Sequence, residues 1–365
     1  MAMPLRIGMV GPLPPPSGGM ANQCRQLIGL LKADGLAVEL VQTNLPYRPN
    51  FISGLRGVRA AFRLVPYLAA IWSTSRKVDV FHVFANSGWA WHLLAAPAIW
   101  VARLRGKPVV INYRGGNADP FLTSAPRWVR WTMVSATSIV VPSRYLQDVF
   151  ARHGLATEII PNIIDFQLFR VRQQRQADNA PCLLVARNLE RIYDIPTAIE
   201  AFVGVLSAYP RARLIVAGSG PERQRLAALA ARLGVSEAVE FVGRVDNVDM
   251  PKLYETADVA INPSTVDNMP NSLLEAFACG VPVVSTNVGG VPFIAHDRVT
   301  ALLVPPRDPE AMAAALMEVL RDRSLYLRLR ENALTEVQQY GWGQVREQWM
   351  DCYRRSAAKL HEEPS

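Results

Sequence analysis

Carboxylates are scarce in the first half of this chain. Residues 1–165 carry 17 lysines and arginines against 7 aspartates and glutamates, whereas residues 166–365 carry 22 against 24, so the formal charge of +8 belongs to the N-terminal half. That asymmetry points to an anionic partner there: a phosphorylated substrate, an anionic lipid surface or a nucleic acid. Charge is modest overall, at 19% of residues against 50% hydrophobic, which excludes a disordered chain and allows a large core. The four cysteines, Cys24, Cys182, Cys279 and Cys352, lie far apart and form no CxxC pair. Neither a zinc site nor a disulfide framework is expected; buried or free thiols in a reducing compartment are. Long apolar runs are also missing. The longest, WAWHLLAAPAIWVA at 89–102, is interrupted by His92 and Pro97 and falls short of the roughly 20 residues a membrane span needs. The N-terminus shows no signal-peptide pattern, because its short apolar run stops at Pro12. A soluble or peripheral cytoplasmic protein is the expectation. There is no D-x-D flanked by strands and no His/acid cluster at ligand spacing, so no metal or other cofactor is expected.

What the chain has is alternation. LRIGMVG (5–11), a Gly/Pro loop, the helically spaced MANQCRQLIGLLKADG (20–35) and LAVELVQTN form a βαβ opening. Strands follow at 78–86, 107–116 and 137–143, separated by helical segments. The polar stretch 170–181 reads as a linker, after which strand–helix alternation restarts at CLLVARN (182–188). The prediction is α/β with two doubly wound domains facing a cleft: residues 1–168, residues 169–340, and a C-terminal helix within 341–365 that packs back on the first. Ligands in such sheets bind outside the C-terminal strand ends.

The most informative stretch is VDNMPNSLLEAFACGVPVV at 266–284. Ser272-Leu-Leu-Glu275 fits S-x-x-E, a capping box, and that alone accounts for Glu275. It leaves Asp267, Asn268, Asn271 and the Gly289-Gly290 pair unexplained. A helix N-terminus favours phosphate, whereas carboxylates accept hydrogen bonds from sugar hydroxyls. The mixture suits a nucleotide sugar.

Asp267 and Glu275 are separated by seven residues, and DNMPNSLLEAFACGVPVVSTNVGGVP resembles the E-x7-E segment of retaining GT-B glycosyltransferases of family 4. Further stretches similar to that family, from the Gly18-Gly19 loop to ADVAINPS, run in the same order from about residue 5 to 350. The resemblance implies roles. Glu275 would bind ribose hydroxyls, and Asp267 the transferred hexose. The segment Asn271, Ser272 and Leu273 would offer amides, with Asn268 beside it. Gly18 and Gly19 would approach the diphosphate, Arg187 would neutralise it, and Arg244 and Val245 would lie where the base packs. Gly218, in a lone GxG turn, is a weaker donor-side candidate.

Three departures from the family pattern stand out. Asp267 replaces the first Glu with a shorter arm. Tyr193-Asp194 stands where the family has Lys-Gly, leaving Arg191 as a candidate second cation. Arg114, in INYRGG, stands where the family often has His; it is either a buried salt-bridge arginine or a cation for the diphosphate or an anionic acceptor. His82 alternates with apolar residues and reads either as a core histidine or as an acceptor-side group. Arg56, Arg59 and Arg63 sit at helical spacing in 52–77, either as a solvated basic face or as a helix lying on an anionic membrane. Nucleic acid is not expected. The expected activity is hexosyl transfer from a nucleotide sugar to a lipid-linked or polysaccharide acceptor, with retention. The alternatives are a degenerate sugar-nucleotide binder, a peripheral membrane scaffold, or an inverting transferase on the same fold.

Overall fold

The computed structural model describes residues 5–16, 18–45, 59–171 and 180–358, the side chains of 59–62 excepted. These fall into two compact units: one runs to Ile163 and resumes at Val345, the other spans Ile164–Gln344. Ile164 and Phe169 are buried in the second unit's core, so the contact boundary lies ahead of the 168/169 junction suggested by the sequence. The linker reading at 170–181 falls mostly outside the described residues.

The first unit holds a six-stranded parallel sheet of β1 (Arg6–Gly11), β2 (Ala37–Gln42), β3 (Val80–Ala85), β4 (Val109–Tyr113), β5 (Ser138–Val141) and β6 (Glu158–Ile159), in the order β2-β1-β3-β4-β5-β6. The second holds β7 (Cys182–Ala186), β8 (Arg213–Ala217), β9 (Val239–Gly243), β10 (Val259–Asn262), β11 (Val283–Thr286) and β12 (Leu302–Val304), in the order β12-β11-β10-β7-β8-β9. Every pairing within both sheets is parallel. The strands read as near-continuous apolar runs because both faces are covered. On β7, Leu183 and Val185 enter one core and Cys182 and Leu184 the other. Each unit is a Rossmann-like doubly wound domain.

In the second sheet the strand order reverses between β7 and β10, both central strands. Loops leaving the C-terminal ends of such a pair diverge to opposite faces and open a crevice between them. Arg187 follows β7 directly, and Asn262 ends β10.

In the first unit, helix Trp342–Ala358 brings Trp349 and Tyr353 against β3 from Val345 onward. Among the described residues no helix is long and apolar enough to cross a membrane.

Candidate active site

The crevice between β7 and β10 is built on a buried polar cluster. Arg187 Nε donates to Asn262 Oδ1 at 2.9 Å, and its Nη2 donates to Asp267. Asn262 in turn donates to Ser285 Oγ at 3.0 Å and accepts from Ser264 Oγ at 2.7 Å. Arg187 and Asp267 side chains are each only 11% exposed, so this is a buried ion pair that survives because its lone pairs and protons are otherwise satisfied. Burial pushes the Asp267 carboxyl above its ordinary range, and the Arg187 guanidinium pulls it back. Below the guanidinium lies the Tyr193 ring, 5.2 Å from Arg187 Cζ, a cation–π contact.

The capping box expected at Ser272–Glu275 is not formed. The helix runs Asn271–Ala278 with Pro270 as its N-cap, which has no side-chain cap hydrogen bond. Ser272 therefore lies inside the first turn and Glu275 one turn on, too far to reach back. Glu275 instead accepts from the Tyr254 hydroxyl at 3.0 Å. Burial pushes its carboxyl up to about 7, opposed by the Tyr254 hydrogen bond and the Arg187 charge. Asn268 and Leu273 are buried, while Asn271 and Ser272 are partly exposed at the helix start.

Gly289 and Gly290 are explained by the same loop. A Cβ on Gly290 would stand 1.6 Å from the Asn268 carbonyl oxygen, and one on Gly289 2.1 Å from that of Asp267. The Gly290 N–H also donates to the Asp267 carbonyl at 2.8 Å. Two backbones touch here, and only glycine allows it. Gly290→Ala is therefore expected to displace the 267–268 loop and lower the unfolding midpoint by several degrees, while the far-ultraviolet circular dichroism of the native state stays unchanged.

Other candidates fall elsewhere. Gly218 packs on the β7 loop, where a Cβ would meet the Arg187 carbonyl oxygen at 1.9 Å. It shapes the crevice through backbone packing. Arg191 is 84% exposed and faces Glu222 at 3.4 Å. Asp194 adopts a left-handed conformation (φ 43°), which accounts for a glycine preference at that position. Arg244 is exposed and Val245 partly buried just past β9, two strands and so about 10 Å from β7.

Gly18, Gly19, His82 and Arg114 belong to the first unit. Gly18 is extended, and a Cβ there would meet nothing within 4 Å; Gly19 opens helix Gly19–Ala33. His82 is fully buried. Asn112 Nδ2 lies 2.9 Å from its Nε2, and Tyr353 Oη lies 2.7 Å from its Nδ1. Arg114 Nε donates to Asn112 Oδ1 at 2.6 Å. Because arginine only donates, Asn112 must present its amide to His82 Nε2, and His82 must donate from Nδ1 to Tyr353. Burial and the Arg114 charge hold His82 neutral. Arg63 donates to the Thr43 carbonyl. Arg56 lies outside the described residues, as does the side chain of Arg59. No group of three or more metal-ligating side chains occurs among the described residues.

Comparison with known proteins gives the family. Residues 17–168 match the family described as Glycosyltransferase Family 4, and residues 169–336 match Glycosyl transferases group 1. The two matches run through both units without a gap. The chain belongs to the family 4-type GT-B glycosyltransferases. An N-acetyl-alpha-D-glucosaminyl L-malate synthase of Bacillus anthracis is 24% identical over 372 residues, 92% of each chain. A D-inositol 3-phosphate glycosyltransferase of Corynebacterium urealyticum is 31% identical over 237 residues, 60% of this chain and 56% of that one. An uncharacterised glycosyltransferase of Methanocaldococcus jannaschii is 32% identical over 178 residues, 48% of this chain and 45% of that one. These last two matches thus span only about half of each relative's length. Among solved structures, sucrose-phosphate synthase from Thermosynechococcus elongatus superposes with a TM-score of 0.79 at 21% identity, covering 97% of this glycosyltransferase and 100% of the other chain. Anabaena HepE in complex with UDP-glucose gives 0.72 at 18%, covering 95% and 98%.

Proposed function

We propose that this glycosyltransferase moves a hexose from a nucleotide sugar to a lipid-linked or growing polysaccharide acceptor, with retention of configuration and without a metal ion. The observation that carries the reading is the Arg187–Asp267 pair at the β7/β10 crevice, with Glu275 one helical turn further on. Transfer breaks the bond from the sugar's anomeric carbon to the diphosphate and forms one to an acceptor oxygen, which gives up its proton. Negative charge builds on the departing diphosphate, and a fixed guanidinium held by Asn262 and Asp267 stabilises it without reorganising. Glu275 accepts from the ribose hydroxyls, and Asp267 from a hexose hydroxyl. The names of the relatives, two of them sugar transferases acting on malate and on an inositol phosphate, agree with such chemistry. So does the UDP-glucose complex of HepE. Retention rests on family resemblance.

The test is Asp267→Asn and Glu275→Ala in a transfer assay, after a thermal-shift screen of UDP-, GDP- and ADP-sugars has identified the donor by its stabilisation of the native state. Each variant is expected to lose at least a hundredfold in kcat/KM. Full activity in both would remove the site assignment. Donor binding without turnover in the wild type would instead mark a sugar-nucleotide binder.

A further inference from the structure

All four exposed tryptophans among the described residues, Trp72, Trp89, Trp100 and Trp131, lie in the first unit. They are joined. Trp89 meets His92 at 6.1 Å between ring centroids, His92 meets Trp128 at 5.1 Å, and Trp128 meets Trp100 at 5.6 Å. Trp72 lies under the Arg105 guanidinium at 4.5 Å, and Arg105 also donates to Ser75 at 3.1 Å, tying that end of the band to the next helix.

Three neighbouring helices carry the band: Arg59–Thr74, Ala96–Leu104 and Arg127–Val134. Each turns two apolar residues outward at same-face spacing: Val65 and Trp72, Trp100 and Leu104, Trp131 and Val134. Their inner faces, with Tyr67, Ile71, Ile99, Val129 and Met133, fill the core, so the outer apolar side chains are surplus to folding. A continuous exposed apolar surface rimmed by charge marks an interaction site.

Charge identifies the partner. Between Glu39 and Asp148 the only carboxylates are Asp79 and Asp119, against thirteen arginines and lysines. Asp79 is held by Arg6, and Asp119 by His153 and Arg152. Exposed Arg76, Lys77, Arg103 and Arg127 therefore stand around the tryptophans without a nearby acidic counterpart among the described side chains of these helices. Aromatic rings with a polar edge, aliphatic side chains and cations of one sign are what an anionic bilayer interface takes up. A second copy of the same face would oppose cation to cation.

We infer that the outer face of these three helices docks on the surface of an anionic lipid bilayer, with Trp100, Leu104, Trp131 and Val134 entering the headgroup region. This surface shares Val65, Trp72, Arg76 and Lys77 with the 52–77 segment singled out in the sequence and extends it over two later helices. The inference adds a location to the proposed use of a lipid-linked acceptor. It does not depend on the identity of the donor.

The experiment is co-sedimentation of the full chain with phosphatidylcholine vesicles, with and without phosphatidylglycerol as roughly a third of the lipid. Binding is expected to the anionic vesicles, weakening on addition of salt. Leu104→Ser/Trp131→Ser/Val134→Ser should lower it at least tenfold while transfer to a soluble acceptor is unchanged. Arg103→Gln/Arg127→Gln should weaken it and flatten the salt dependence. The inference is overturned if the wild type ignores anionic vesicles, or if the triple variant binds them equally well. It is also overturned if the wild type is a dimer in solution that the triple variant dissolves. A failure of transfer with vesicle binding intact would count against the proposed activity alone.

Discussion

Arg187→Ala is expected to abolish transfer, lowering kcat by about a thousandfold, the scale on which removing one preorganised charge or donor at a departing oxyanion acts. It should also destabilise the protein, because Asp267 would be left buried without its cation. Breaking a buried pair from one side costs about 3–5 kcal/mol, and a domain of this size loses about 2–4 °C in unfolding midpoint per kcal/mol. The two effects can be separated. In Arg187→Met/Asp267→Asn the buried charge is gone on both sides, so much of the stability should return while transfer does not. Recovery of transfer in the double variant would mean that neither charge of the pair is needed for the reaction. The Tyr193 ring under Arg187 bears on the same question. The sequence reads Tyr193 as the loss of a second cation, and the fold turns the substitution into support for the first. Arg191, engaged with Glu222 in the open, is not expected to compensate; Arg191→Ala should cost less than tenfold.

How much of this was legible beforehand depended on range. The strands were, because a parallel sheet covered on both faces writes itself as short apolar runs. Two very short strands, Glu158–Ile159 and Leu302–Val304, carry too few residues for a pattern. Helices Pro309–Arg321 and Arg323–Glu336 follow the last strand, outside the strand–helix alternation. The local motif at 272–275 misled, since S-x-x-E fixes a capping box only if Ser is the N-cap, and Pro270 holds that place. Long-range partners were invisible. Arg187 meets Asp267 across 80 positions, and His82 meets Tyr353 across 271. The Gly289-Gly290 pair has no local reason, because its reason is a carbonyl of another loop. The relay from Arg114 through Asn112 and His82 to Tyr353 also changes what Arg114 is. A one-way chain of donors holds its guanidinium at the end of β4, and no spacing rule in one strand could reveal that.

Glu275 gives a second large and signed expectation. Burial places its carboxyl near 7 in the native state, against about 4.3 in an unfolded chain. Between those values the native state holds the extra proton. Stability contributed by this residue is therefore full at low pH, falls as pH rises through that window, and stays low above 7. A shift of this size corresponds to at most about 4 kcal/mol; partial exposure of Glu275 brings the expected figure to about 1–2 kcal/mol. Glu275→Gln keeps an oxygen for the Tyr254 hydroxyl and removes the charge. It should raise the unfolding midpoint by several degrees at pH 8, by less at pH 5, and leave it unchanged at pH 3.5. Activity should move the opposite way. An ionised carboxylate is the better acceptor for two ribose hydroxyls, so affinity of the wild type for its nucleotide sugar should rise between pH 6 and 8 with a midpoint near 7. Glu275→Gln should bind weakly and show no such rise. Calorimetric titration with the nucleoside diphosphate measures both limbs. A variant that is less stable than the wild type at pH 8 would show that the carboxylate is stabilised where it sits, and the cost of keeping it charged in the crevice would then lie elsewhere. The expected result is the commoner pattern for a binding site, in which a residue kept for its ligand is held at the expense of the fold.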